Sequence, residues 1–166
     1  MFKSISKILI SSLLAVCLLV SGCATTSAPP SSSPTASETS SPVVDAQPVS
    51  GGKLNQFFPK SQGDYQVTFR QEKTGFSQAK LSQGGEDVAL LSINDIANNP
   101  SAARKFEESS QAIGGYPAAN QGKSTTAILV GDRYQVKVKS NVDSFGQSER
   151  EQWLQEFNLN GLASLK

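Results

Sequence analysis

The sequence predicts an α+β domain over residues 53–166: an antiparallel sheet of about five strands with two helices, in the order βββ-α-ββ-α. Three observations carry this. Tyr65, Val67 and Phe69 alternate with Gln66, Thr68 and Arg70, the period of a half-buried strand. Gly131-Asp132 separates two strand-like runs, as a two-residue hairpin loop does. Helix-start signals stand at Asn99-Pro100 and at Ser148-Glu149-Arg150-Glu151. Runs of strands broken by single helices favour an antiparallel sheet with the helices laid on one face.

Along the chain, Leu54, Phe57 and Phe58 before Pro59 predict a short helical turn packed on the body. Lys73-Thr74-Gly75 then turns the first strand into Phe76–Ser82. Gln83-Gly84-Gly85-Glu86 turns again, into Asp87–Ile93, whose apolar run suits a central strand. With Asn99 as cap and Pro100 at the first helical position, a helix is expected through Ser101–Gln111, broken by Gly114-Gly115. A type II′ loop at Gly131-Asp132 would place Leu129, Ala127 and Thr125 opposite Tyr134, Val136 and Val138. Val130, Ile128, Thr126 and Ser124 would then oppose Arg133, Gln135, Lys137 and Lys139 on a face open to water. Ser148 and Glu151 match a capping box that opens a helix carrying Trp153, Leu154 and Phe157 on one side. Asn160-Gly161 interrupts it, and Leu162 and Leu165 complete the core.

Two segments precede this body. Lys3 and Lys7 lead into the apolar run Ile8–Val20 and the small residues Ser21 and Gly22, the layout of a secretory signal. The apolar run is short for a membrane span, which needs about 20 residues. Residues 24–52 hold 8 Ser, 4 Thr and 5 Pro, a composition unable to bury enough surface to offset its ordering entropy. As a coil they would reach roughly 30 Å, so residues 23–52 read as a spacer.

Chemistry is sparsely provided. There is no histidine, and both cysteines lie in the first 23 residues. That removes Cys/His nucleophiles, Ser-His-Asp triads and soft-ligand zinc sites from the body. A net charge of +1 gives no field that would attract nucleic acid. Gly122-Lys123-Ser124-Thr125 resembles the tail of a phosphate loop, but Pro117 stands where its first glycine belongs and a strand follows. Asn141–Gln152 places Asp143 and Gly146 like the third and sixth positions of a calcium loop, yet Asn141, Phe145 and Gln152 stand where ligands are needed. Glu149 and Glu151 suit a helix N-terminus better than a catalytic pair with Glu156, and Asp95, Asp132 and Arg133 suit strand ends and turns. Lys137 and Lys139, with Lys123, form at most a mild basic strip. No catalytic residue, metal site or cofactor is expected.

Val20-Ser21-Gly22-Cys23, after a charged start and an apolar core, resembles the lipobox of bacterial lipoproteins. The resemblance implies that residues 1–22 are removed and that Cys23 carries the lipid, with acyl chains of the palmitate kind; Cys17 lies outside the motif. Loss of Lys3 and Lys7 leaves 13 basic residues against 14 acidic ones, so attachment would rest on lipid alone. It implies an extracytoplasmic place in the cell envelope, on the outer face of the cytoplasmic membrane or, facing the periplasm, on the inner leaflet of an outer membrane. Farther on, LSINDIANNP, IGGYPA, LVGDRYQVKV and FNLNGLASL resemble small secreted or lipid-anchored bacterial domains without assigned activity. That likeness implies no substrate and transfers no functional residue.

The expectation is therefore a non-catalytic, lipid-anchored domain that touches the membrane through Cys23 and binds a protein or other envelope component. An apolar patch at Ile128 and Val130 on the open sheet face is the expected contact. The alternative is a small-molecule carrier or sensor, with a pocket between sheet and helices lined by Tyr65, Phe69, Tyr134 and Trp153.

Overall fold

The computed structural model describes residues 47–165, so Cys23, the signal segment and most of the spacer lie outside the described residues. Among the described residues the fold is α+β around one open antiparallel sheet, with seven strands and four α-helices rather than five and two. The strands are β1 (Tyr65–Lys73), β2 (Phe76–Gln83), β3 (Glu86–Asp95), β4 (Gln111–Ile113), β5 (Tyr116–Gln121), β6 (Thr125–Val130) and β7 (Tyr134–Ser140). They lie in the order β1-β2-β3-β7-β6-β5-β4. The helices are α1 (Gly51–Leu54), α2 (Arg104–Glu107), α3 (Gln147–Gln155) and α4 (Leu159–Ala163). Among the described residues no helix is long and apolar enough to cross a membrane.

The two extra strands, β4 and β5, begin at the end of the span expected to be a longer helix and run beyond it. Pro100–Ala103 forms a 3-10 turn, α2 adds only Arg104–Glu107, and the helix ends there. Ser109 is the reason: its hydroxyl accepts the Gln111 N–H at 3.1 Å and donates to the Ala118 carbonyl. A serine that offers its side chain to a neighbouring N–H competes with the helical ladder. The chain enters β4 instead, and Gly114-Gly115, both at positive φ, turn it into β5.

The β6–β7 hairpin is slipped by one residue from the expected register. Val130 pairs with Tyr134, Ile128 with Val136 and Thr126 with Val138. Gly131 and Asp132 both have positive φ (57° and 55°), which a type I′ turn needs and a type II′ turn does not. The Arg133 N–H closes the turn on Val130 O at 3.2 Å, and its carbonyl accepts from Ile96 N at 2.9 Å. Arg133 is thus bulged out of the ladder. A one-residue slip exchanges the faces of a strand. Ile128 and Val130 are consequently fully buried in the main core, and the expected exposed patch at these residues does not exist.

The main core lies on the inner face, between the sheet and α1, α3 and α4. Ala79, Leu81, Ala89, Leu91, Ile93, Ile128, Val130, Val136 and Val138 face Leu54, Phe57, Trp153, Leu154 and Leu162. Burying each such leucine contributes about 1.5–3 kcal/mol. Tyr65 meets Trp153 edge-on at 5.0 Å, and Phe58 bridges Phe69 and Phe157, each at 5.2 Å. The outer face is covered at one end only. There Ile96 and Phe106 pack on Ala127 and Leu129, and Gln135 donates to Ala102 O at 2.8 Å. Helical segments therefore lie on both faces of the sheet, not on one.

The packed body also begins before residue 53. Val49 is buried, its N–H donates to Asp95 at 2.8 Å, and its carbonyl accepts from Gly75 N. Residues 47–52, read by composition as the end of the spacer, belong to the fold.

Candidate functional site

Two surfaces combine polar groups with accessible space. The first is the uncovered part of the outer face, on β1, β2, β3 and β7. Cross-strand registers place Thr68, Lys80, Leu90 and Lys139 in one row, and Gln78, Ser92 and Lys137 in the next. Lys105 reaches this face from α2, with its ammonium 3.3 Å from Gln135 Oε1. Asp87 lies on this surface, 2.7 Å from Lys80 and 4.0 Å from Arg70. The Lys80 hydrogen bond, followed by that of Ser82, holds the Asp87 carboxyl below its usual range. Burial pushes Lys137 down, and burial together with the Lys137 charge pushes Lys105 down. Among the described residues no carboxylate lies within 4.0 Å of Lys105, Lys137 or Lys139. The basic strip read from Lys137 and Lys139 thus extends to Lys80 and Lys105. Lys123 stays outside this row, in the β5–β6 turn.

The second surface is a cleft of about 230 Å³ at the start of α3, bounded by Ser140, Gly146, Gln147 and Arg150. Arg150 is only 4% exposed. It donates from Nε to Thr126 Oγ1 and from Nη1 to Ser140 Oγ, both at 2.9 Å. Sequence reading missed this residue, because a charged residue on a helix reads as solvated until the fold turns it inward.

The other residues weighed in the sequence have structural positions. Asp95 and Arg133 form a two-pronged ion pair at a strand end, and Asp132 occupies the hairpin turn. Glu149 accepts the Gly146 N–H at 2.9 Å, and Glu151 accepts from Gln147. Lys123-Ser124 leads directly into β6, without the helix a phosphate loop requires. Gly146 caps α3, so the second half of the calcium-like segment is helix. No group of three acidic residues suited to a metal occurs among the described residues.

The four aromatics of the expected pocket do not converge on one cavity. Tyr134 and Trp153 are core residues, and the Tyr134 hydroxyl donates to Leu165 O at 3.1 Å. Tyr65 and Trp153 edge a surface cleft of about 350 Å³ that Glu149, Gln152 and Glu156 also line. Phe69 lies at the sheet edge, 42% exposed. No protein-family model matches the chain, and no curated protein or solved structure is significantly similar to it.

Proposed function

We propose that the chain is a lipid-anchored extracytoplasmic domain that binds an acidic protein component of the envelope through the open half of its outer sheet face. The anchor is assigned to Cys23 on the strength of the Val20-Ser21-Gly22-Cys23 motif. No catalytic role is assigned. The observation that carries the binding reading is the half-exposed strip of Lys80, Leu90, Ser92 and Lys137, flanked by exposed Lys139. Lys80 is paired with Asp87, but Lys137 and Lys139 have no carboxylate within 4.0 Å among the described residues, and such charges beside a modest apolar centre suit complementary recognition more than stability. A carrier or sensor of small molecules is the second reading, favoured by the cleft beside Tyr65 and Trp153.

A photo-crosslinking residue placed at Ser92 tests the first reading, with one at exposed Gln152 on α3 as control. The expected result is a discrete adduct in cells from position 92 that disappears in Lys137→Glu/Lys139→Glu. Equal labelling from both positions, or none from 92, overturns it. Cys23→Ser, with intact mass and fractionation, tests the anchor separately: loss of acyl mass and release from the membrane support it, and an unmodified wild-type chain refutes it.

A further inference from the structure

Among the described residues, Arg150 and Asp95 are the two charged residues buried below a tenth of their surface, and they are treated differently. Asp95 has an arginine. Arg150 has only two hydroxyls, and each of these already donates elsewhere: Thr126 to Asn120 Oδ1 at 2.9 Å, Ser140 to the Phe145 carbonyl. The hydroxyls therefore accept from the guanidinium but bring no negative charge. Burying a charge without a counter-charge is costly, and a guanidinium presents five donors in a fixed fork. Among the described residues Nη2 has no acceptor, and no carboxylate lies within 4.0 Å of Arg150.

Arg150 lines the 230 Å³ cleft, where α3 begins. Gly146 is the cap of this nine-residue helix and has no side chain to turn onto the N–H groups of the first turn. Glu149 folds back onto Gly146 N, so its carboxylate is occupied. The N–H groups of Gln147 and Ser148 carry no acceptor among the described residues. Ser124, the exposed Lys123 and the exposed Asp143 also line the cleft. A buried guanidinium, a helix N-terminus and an ammonium around one opening form an anion site in which charge and donors agree.

We propose that this cleft binds a small oxyanion, a phosphate or carboxylate group, seated between Arg150 and the N-terminus of α3. The site is separate from the outer-face strip, and either proposal can fail without the other.

The test is titration of the described domain in the full chain with inorganic phosphate and with acetate, in separate arms at constant ionic strength. Amide signals of Gln147 and Ser148 and the Arg150 Nε–H signal are followed by NMR. Saturable shifts at these positions are expected, with a rise in melting temperature. Phosphate acting alone assigns a phosphate site; acetate acting equally well assigns a general oxyanion site. Arg150→Lys keeps the charge but loses the fork. Because it disturbs the Thr126 and Ser140 bonds, Gln147→Pro is the second variant. Proline suits the first helical position and follows an extended Gly146 (φ −81°, ψ −164°), so the fold is kept while one N–H donor is removed. Binding should weaken about ten-fold in Gln147→Pro, as for loss of one charge-assisted hydrogen bond. Absence of saturable shifts with either anion, or unchanged affinity in both variants, overturns the site.

Discussion

Asp95 and Arg133 form a bidentate ion pair across 38 residues of sequence, Nε to Oδ1 at 2.9 Å and Nη2 to Oδ2 at 2.8 Å. The pair does more than join β3 to the β6–β7 turn. Asp95 also accepts from Val49 N and Ala97 N, and Arg133 also donates to Gln47 O. The segment through which the chain enters the domain is thereby tied to the end of β3 and the β6–β7 turn, next to the β1–β2 turn, whose Gly75 N–H donates to Val49 O. If the proposed lipid at Cys23 anchors the chain, any pull from the membrane would enter the domain at this point.

The first prediction concerns acid. Burial by itself raises the Asp95 carboxyl, but the Arg133 hydrogen bonds and those from Val49 and Ala97 outweigh it and hold it below the ordinary 3.8. The native state therefore binds fewer protons than the unfolded chain as pH falls past 3.8. Its stabilisation is complete above that value and drains as pH drops through the lower folded one. Asp95→Asn leaves Arg133 without its counter-charge and should cost about 3–5 kcal/mol in urea unfolding at neutral pH. The variant should also lose most of the acid-dependent decline. A wild-type-like urea midpoint would show that the pair holds nothing.

The second prediction separates neighbouring glycines. A Cβ on Gly51 would sit 2.6 Å from Phe76 O and 2.8 Å from the backbone of Lys73, whereas one on Gly52 would meet nothing nearer than Glu72 Oε2 at 3.7 Å. Gly51→Ala must push the entry segment off the β1–β2 turn and should cost about 1–3 kcal/mol. Gly52→Ala should be neutral or gain about 0.5–1 kcal/mol from helix propensity. Thermal melts of the two variants decide it; equal midpoints would refute the close approach.

These positions mark what the sequence could tell. Alternation in β1, the Gly84-Gly85 turn and the apolar run of β3 are local signals, and the strands stand within two residues of where they were expected. Gly51-Gly52 ended a Ser/Pro-rich stretch, so composition placed it in the spacer; only the backbone of residues far along the chain shows that Gly51 is required. The hairpin register failed for the same reason. Gly131-Asp132 signalled a turn, but the bulge at Arg133 is set by Asp95 and Ile96, which lie outside the local pattern. Arg150 was illegible because its role depends on which face of α3 meets β6 and β7.

A third prediction follows from the outer face. Lys137 is half-buried and its amine is pushed below the ordinary 10.5 by desolvation. The unfolded chain then holds this proton over the interval between the lowered folded value and 10.5, so stability contributed here rises with pH across that interval. Lys137→Met should leave the melting temperature at neutral pH unchanged or higher while removing binding at the strip. A marked fall in melting temperature would mean that the ammonium is structural and not held for a partner.

The fourth prediction tests how α3 begins, on which the oxyanion site depends. Ser148 and Glu151 have the spacing of a capping box, but Gly146 is the cap and Glu149 occupies the third helical position. Only half of the reciprocal arrangement forms: Glu149 returns to Gly146 N at 2.9 Å, and no side chain covers the first-turn N–H groups. Glu149→Ala should cost about 0.5–2 kcal/mol, the worth of a cap. Glu151→Ala removes an exposed contact with Gln147 at 2.7 Å and should cost no more than about 0.2–0.5 kcal/mol. A glycine cap supports the helix less than serine would, yet it leaves the N–H groups beside Arg150 open, the condition for binding an anion there. Gly146→Ser would fill those donors from within, so it should stabilise α3 and weaken phosphate binding together. If Gly146→Ser strengthened the helix and left phosphate affinity unchanged, the first turn of α3 would have no part in the site.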